Sequence, residues 1–167
     1  QKNYAAADKD YAKCIALKPD DADGYLGRGS ILNNQQNYEA AIKYYDKAIE
    51  YEPGNVVAVL NRGNAKYATK DVKGAMADYL KVVQLQPGNA NVYFNLGSIY
   101  MVQAKSQEAI AAFKKYNAYL PNEWSGYKNT ADVYYQQLER YDSAEYFYNK
   151  AYQISNNQKD IIERLGY

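Results

Sequence analysis

The 34 residues numbered 90–123, ANVYFNLGSIYMVQAKSQEAIAAFKKYNAYLPNE, carry the pattern from which the rest of the chain is read. In the first half Tyr93, Leu96, Gly97 and Tyr100 follow one another at steps of three, one and three, and in the second half Ala109 and Phe113 lie four apart. Such steps place side chains on one face of an α-helix. Pro121 then closes the stretch, since proline has no amide hydrogen to donate and disfavours helical geometry in the residue before it. Two short helices joined by a turn are predicted.

Outward from this stretch the same marks return at a fixed interval. All four prolines, Pro19, Pro53, Pro87 and Pro121, are spaced by 34 residues. Gly29, Gly63 and Gly97 keep that step, as do Ala41, Ala75 and Ala109 and the aromatic column Tyr45, Tyr79 and Phe113. Several independent columns with one period mark a repeat array. In the unit after Pro19 the helices are predicted over about 22–35 and 38–51, the second from Tyr38, Ala41, Ile42, Tyr45, Ala48 and Ile49 on one face. Asp21, Asn55 and Asn89 precede first helices, where a short polar side chain can accept from amides of the opening turn. The small columns have a packing reason: two helices that cross closely need a place without a side chain, and the aromatics fill the space around it. One such unit cannot bury its apolar face alone, so each depends on its neighbours.

Composition narrows the function classes. In 167 residues the charges nearly cancel, to +1, which gives no basic excess for nucleic acid and no acidic tail for basic partners. No apolar run approaches the roughly 20 residues needed to span a bilayer, so no membrane contact is expected from this piece. There is no histidine, which removes the commonest general base and metal ligand together, so neither an enzyme, a metal nor a cofactor is expected. The single cysteine, Cys14, has no internal disulfide partner and reads as a small buried residue. Compartment stays open between cytoplasm and periplasm. Most of the 21 tyrosines recur at core positions and are expected to be structural.

The 34-residue step, an aromatic then Leu-Gly then Tyr in the first helix, Ala and an aromatic in the second, and a closing Pro together resemble the tetratricopeptide repeat. Tyr93, Leu96, Gly97, Tyr100, Ala109, Phe113 and Pro121 stand at the family's spacing, and Tyr25, Gly29, Leu32, Ala41, Tyr45, Ala48 and Pro53 match it again. The resemblance implies an all-α fold, a right-handed superhelical solenoid of antiparallel helix pairs running over 1–167 as a single array. Residues 1–21 hold the second helix of a truncated repeat, 22–55, 56–89, 90–123 and 124–158 are full repeats, and 159–167, with Ile162, Leu165 and Gly166, begin a further repeat or capping helix. A piece of a longer array is therefore expected. Departures are local. Arg28 and Arg62 stand where the family usually has Leu, with stems that can pack while the charged heads reach solvent. The last unit has one extra residue in its inter-helix turn, and Asn156 replaces its proline.

In this family the first helices line the concave surface, so the resemblance implies a groove for an extended peptide or a partner helix. Its expected lining is Leu60, Asn61, Asn64 and Tyr67, then Phe94, Asn95 and Met101, then Lys128, Asn129 and Tyr135, with Leu26, Ser30, Ser98 and Asp132 also turned inward. The column Gly27, Asn61, Asn95, Asn129 resembles the asparagine ladders with which some members grip a peptide backbone, because a carboxamide both donates and accepts. The competing reading of that column is solvated helix surface. A carboxylate clamp, which Asn64 and Asn95 would fit, is rejected because Leu60, Ser125 and Asn129 stand where its cations would be. Asp132 with Lys128 is read as an ordinary i, i+4 pair rather than as catalytic. A protein or peptide ligand leads. The alternative is an assembly array that binds no specific peptide and self-associates through uncapped ends.

Overall fold

The computed structural model describes residues 4–155, and the expected helix start at 159–167, with Ile162, Leu165 and Gly166, and the Asn156 substitution lie outside the described residues. Described residues form nine α-helices and no strand: α1 Tyr4–Leu17, α2 Ala22–Asn34, α3 Tyr38–Tyr51, α4 Val56–Ala68, α5 Val72–Leu85, α6 Ala90–Val102, α7 Ser106–Tyr119, α8 Trp124–Gln136 and α9 Tyr141–Ser155. Predicted and observed helix bounds agree to within one residue in the unit after Pro19. The chain divides into two compact units, Gln1–Pro87 and Gly88–Tyr167. Within the first, each of α1 to α5 packs on the next, and α2 touches α4; within the second, α6 to α9 do the same, and α6 touches α8.

Small-residue columns sit where the helix pairs cross. A Cβ on Gly29 would lie 2.7 Å from the Tyr45 ring, one on Gly63 2.9 Å from Tyr79, and one on Gly97 2.7 Å from Phe113. Those three rings are buried, as are the alanine column Ala41, Ala75 and Ala109 and the column Ala48, Val82 and Tyr116. The last repeat differs: Ala131 stands in the glycine column and packs with Tyr127, Ala144, Tyr148 and Ala151.

The turns repeat as strictly as the helices. Gln36, Lys70, Ala104 and Glu139 all have positive φ, between 51° and 67°, the left-handed conformation that ends a helix and reverses the chain. Their spacing is 34, 34 and then 35 residues, and α8 keeps the same 13-residue length as α2, α4 and α6. The extra residue therefore lies in the turn, as expected, between Gln137 and Glu139. That residue, Leu138, packs against Ala109, Ile110, Phe113 and Val133, and Gln137 reaches back to the preceding turn, donating to the Met101 carbonyl at 2.7 Å and accepting from Ser106 at 2.8 Å.

Three expectations are corrected. Cys14 is exposed, because α1 packs mainly on α2 among the described residues and has no buried residue. Of the three expected caps only Asn55 accepts from the opening turn, at Ala58 N (2.9 Å). Asp21 instead faces Lys18, Asn89 makes no cap bond, and Asp71 caps α5 from a place the sequence reading passed over. The Arg62 side chain keeps only 17% exposure and turns its guanidinium onto carboxylates of the fold.

Candidate functional site: the first-helix faces

The expected groove residues lie on three first helices: Leu60, Asn61, Asn64 and Tyr67 on α4 in the first unit, and Phe94, Asn95 and Met101 on α6 with Lys128, Asn129 and Tyr135 on α8 in the second. Asn64, Tyr67 and Tyr135 are exposed, and the rest are half-buried. Asn61, Asn95 and Asn129 each occupy the sixth place of a 13-residue helix, so the column holds one register from helix to helix. Among the described residues the carboxamides of Asn61 and Asn129 make no side-chain hydrogen bond. The first position of the column is closed: a Cβ on Gly27 would come within 2.3 Å of the Tyr11 ring, so α1 covers that place.

Several lining residues also serve the interior. The Phe94 ring packs against Phe113 and Tyr116, at centroid distances of 5.7 and 5.1 Å, and Met101 joins the same cluster. Tyr135 meets Tyr141 edge to face at 5.4 Å on the surface. Asn64 accepts a hydrogen bond from the Tyr79 hydroxyl at 2.8 Å, and buried Asp132 accepts from Tyr148 at 2.5 Å while pairing with Lys128 at 2.9 Å. Asp132 therefore faces the second helix of its own repeat, and its pair with Lys128 is more than a solvated i, i+4 contact. In the equivalent places Ser30 and Ser98 bond their own backbone, at Leu26 and Phe94. Phe113 has no hydroxyl to place, whereas the buried Tyr45 hydroxyl is left without a hydrogen-bond partner among the described residues. Burial raises the Tyr45 phenol above its ordinary range.

On the side of the first helices turned to the second helices, charge is handled within the fold. Arg62 forks onto buried Asp78, through Nε to Oδ2 at 2.9 Å and Nη2 to Oδ1 at 2.5 Å, and its Nη1 meets Asp46 of α3 at 2.6 Å, while Lys66 shares Asp78 Oδ2 at 2.9 Å. The hydrogen bond to Asp78, with Asp46 helping, outweighs burial and raises the guanidinium still higher. Arg28, one repeat earlier, pairs with Asp8 of α1 at 2.8 Å and lies over the Tyr44 ring at 4.9 Å, and its hydrogen bond to Asp8 raises it likewise. Sequence reasoning missed these partners. The signal was available, because the crossing of Gly63 with Tyr79 puts their neighbours Arg62 and Asp78 face to face.

Sequence models of the tetratricopeptide repeat match residues 22–55 and 94–159, and a further TPR repeat model matches 63–103. The chain belongs to the tetratricopeptide repeat family. Solved MamA structures are similar to this tetratricopeptide repeat chain over nearly its whole length. One is 19% identical, covers 99% of this chain and 92% of its own, and has a TM-score of 0.86. MamA from Desulfovibrio magneticus RS-1 is 20% identical over 95% and 89%, with a TM-score of 0.85, and MamA AMB-1 is 23% identical over 92% and 90%, with a TM-score of 0.80. At such identities the likeness is one of fold. No curated protein sequence matches the chain. The tetratricopeptide repeat fold is an all-α scaffold for protein–protein interaction, and members of the family are as a rule not enzymes. No described helix is long and apolar enough to cross a membrane.

Proposed function

We propose that the chain holds an extended peptide, or a segment of a partner protein, against its first helices, with Asn61, Asn95 and Asn129 bonding the peptide backbone. The observation that carries this reading is the shared register of the three asparagines, each at the same place of an equivalent helix. A carboxamide at that place can satisfy a peptide N–H and C=O whatever the ligand's sequence, while Leu60, Phe94 and Met101 supply half-buried apolar contact beside it. Tyr67 and Tyr135 add exposed aromatic area, Asn64 adds a carboxamide, and Lys128 adds a cation that also holds Asp132.

A peptide library titrated against the wild type and against Asn61→Ala/Asn95→Ala/Asn129→Ala tests the reading. Each lost backbone bond weakens binding by about 1 kcal/mol, so at least a tenfold loss is expected in the triple variant. Unchanged affinity with unchanged helicity removes the ladder. A size that grows with concentration, with no peptide bound, supports the assembly array instead.

A further inference from the structure

Away from the first-helix faces, the second unit contains a depression of about 260 Å³ between its second helices, lined by Lys114, Asn117 and Ala118 of α7, Tyr127 and Thr130 of α8, and Phe147 and Lys150 of α9. We infer that it is a binding site for a carboxylate side chain of an acidic partner peptide, held between the Lys114 and Lys150 ammonium groups.

The argument starts from charge. Lys18, Lys47, Lys66 and Lys128 all pair with carboxylates of the chain itself. Lys114 and Lys150 have no carboxylate partner among the described residues; each lies over a ring instead, Lys114 over Phe147 at 5.7 Å and Lys150 over Tyr127 at 4.6 Å. A ring face orients an ammonium group without neutralising it. Two uncompensated cations from different helices thus meet at one hollow.

The floor and walls decide what kind of anion fits. Asn117 and Thr130 are buried, and both are already committed as donors, Asn117 Nδ2 to the Glu123 carbonyl at 2.6 Å and Thr130 Oγ1 to the Gly126 carbonyl at 2.8 Å. Neither donor is left over for a phosphate. Tyr127, Phe147 and Ala118 form an apolar wall that suits the methylene stem of a glutamate, whose head then reaches the two ammonium groups. The site uses none of the residues assigned to the asparagine column, so it stands or falls apart from that proposal.

A fluorescein-labelled ten-residue peptide of alternating Glu and Gly, its Gln-for-Glu counterpart and inorganic phosphate are the probes, read by anisotropy and competition on the full chain. The Glu peptide is expected to bind, to weaken about tenfold in Lys114→Gln/Lys150→Gln, and to weaken again as salt rises from about 0.05 to 0.3 M. The preference for the Glu over the Gln peptide should persist in Asn61→Ala/Asn95→Ala/Asn129→Ala, where neither peptide can draw on the asparagine column. Phe147→Leu, which keeps both charges but removes one ring, should give an intermediate loss, and equal melting curves for all variants separate lost binding from lost folding. Equal affinity for the Gln peptide, or retention of Glu-peptide binding in the double lysine variant, overturns the inference. Lysine-dependent phosphate binding with no peptide binding overturns it too, in favour of a free-anion site.

Discussion

Arg62 on α4 and Leu96 on α6 hold the same place in consecutive repeats, as do Asp78 on α5 and Ala112 on α7. One pair of helices closes over a fork of buried charge, Arg62 on Asp78 with Lys66 and Asp46 attached, and the other closes over apolar side chains. What the two repeats share is the glycine under an aromatic ring, Gly63 beneath Tyr79 and Gly97 beneath Phe113. The close approach is thus set by size, and the neighbours of the glycine can be ionic or apolar provided they change together. A guanidinium buried here needs its carboxylate, and a leucine needs only its alanine.

The largest break in that comparison is Asp78→Ala, which takes the buried carboxylate away from Lys66 and from the Arg62 fork and leaves Arg62 only the exposed Asp46. It is expected to cost about 3–5 kcal/mol in urea denaturation followed by circular dichroism. Writing the apolar repeat's residues into the ionic one, Arg62→Leu/Lys66→Tyr/Asp78→Ala, should instead stay within about 1.5 kcal/mol of wild type. If the single and triple variants melt alike, uncompensated charge is not what matters.

Next in size is the glycine column. Gly97→Ala drives a methyl into the Phe113 ring and should cost about 1–3 kcal/mol despite the better helix propensity of alanine. The last repeat already carries Ala131 there, so the reverse change, Ala131→Gly, should lose about 1 kcal/mol through propensity alone. Both changes are thus expected to lose stability, the first by overpacking against helix propensity and the second with propensity, and thermal melting of both variants side by side measures the difference.

The hydroxyl column sharpens the comparison further. Tyr148→Phe removes a donor from buried Asp132 and should destabilise by about 1–2 kcal/mol, whereas Tyr45→Phe removes a buried hydroxyl without a described partner and should stabilise by up to about 1 kcal/mol. Burial raises the Tyr45 phenol, so the folded chain keeps a proton that the unfolded chain releases near pH 10.0. Its contribution is complete below that value and is lost as pH rises through the folded value. Tyr45→Phe should accordingly flatten the alkaline decline in stability; an unchanged alkaline slope would show that Tyr45 does not cause it. The smallest effect is expected from Ala104→Gly. A left-handed residue with a Cβ is strained, and glycine should add about 0.5–1 kcal/mol to the melting stability.

Periodicity made the fold legible. Proline stops, glycine and alanine columns and ring positions act through local sterics, which survive in any array of such helices, and even the displaced turn of the last repeat showed itself as a slip in the columns. Contacts between side chains of different helices were less visible. The charged head of Arg62 was expected to reach solvent because spacing along one helix says nothing about a carboxylate 16 residues on. Cys14 followed the small-residue pattern yet is exposed, since burial depends on what packs over a face and not on the face's own pattern. The capping residues divided for a similar reason: Asp21 had a nearby lysine to meet, and Asn55 did not. The lysine pocket left no mark in the repeat columns, because Lys114 and Lys150 do not occupy equivalent places and only the folded second unit brings them to one hollow.

Asn64 and Asp132 each accept from a tyrosine of the helix behind them, Asp132 from within the interior and Asn64 while exposed on the face proposed to meet a ligand. Such a residue has two employers. On the proposed reading, a partner that draws on the Asn64 oxygen must share it with Tyr79, so contact at the surface would be linked to the closure of that repeat.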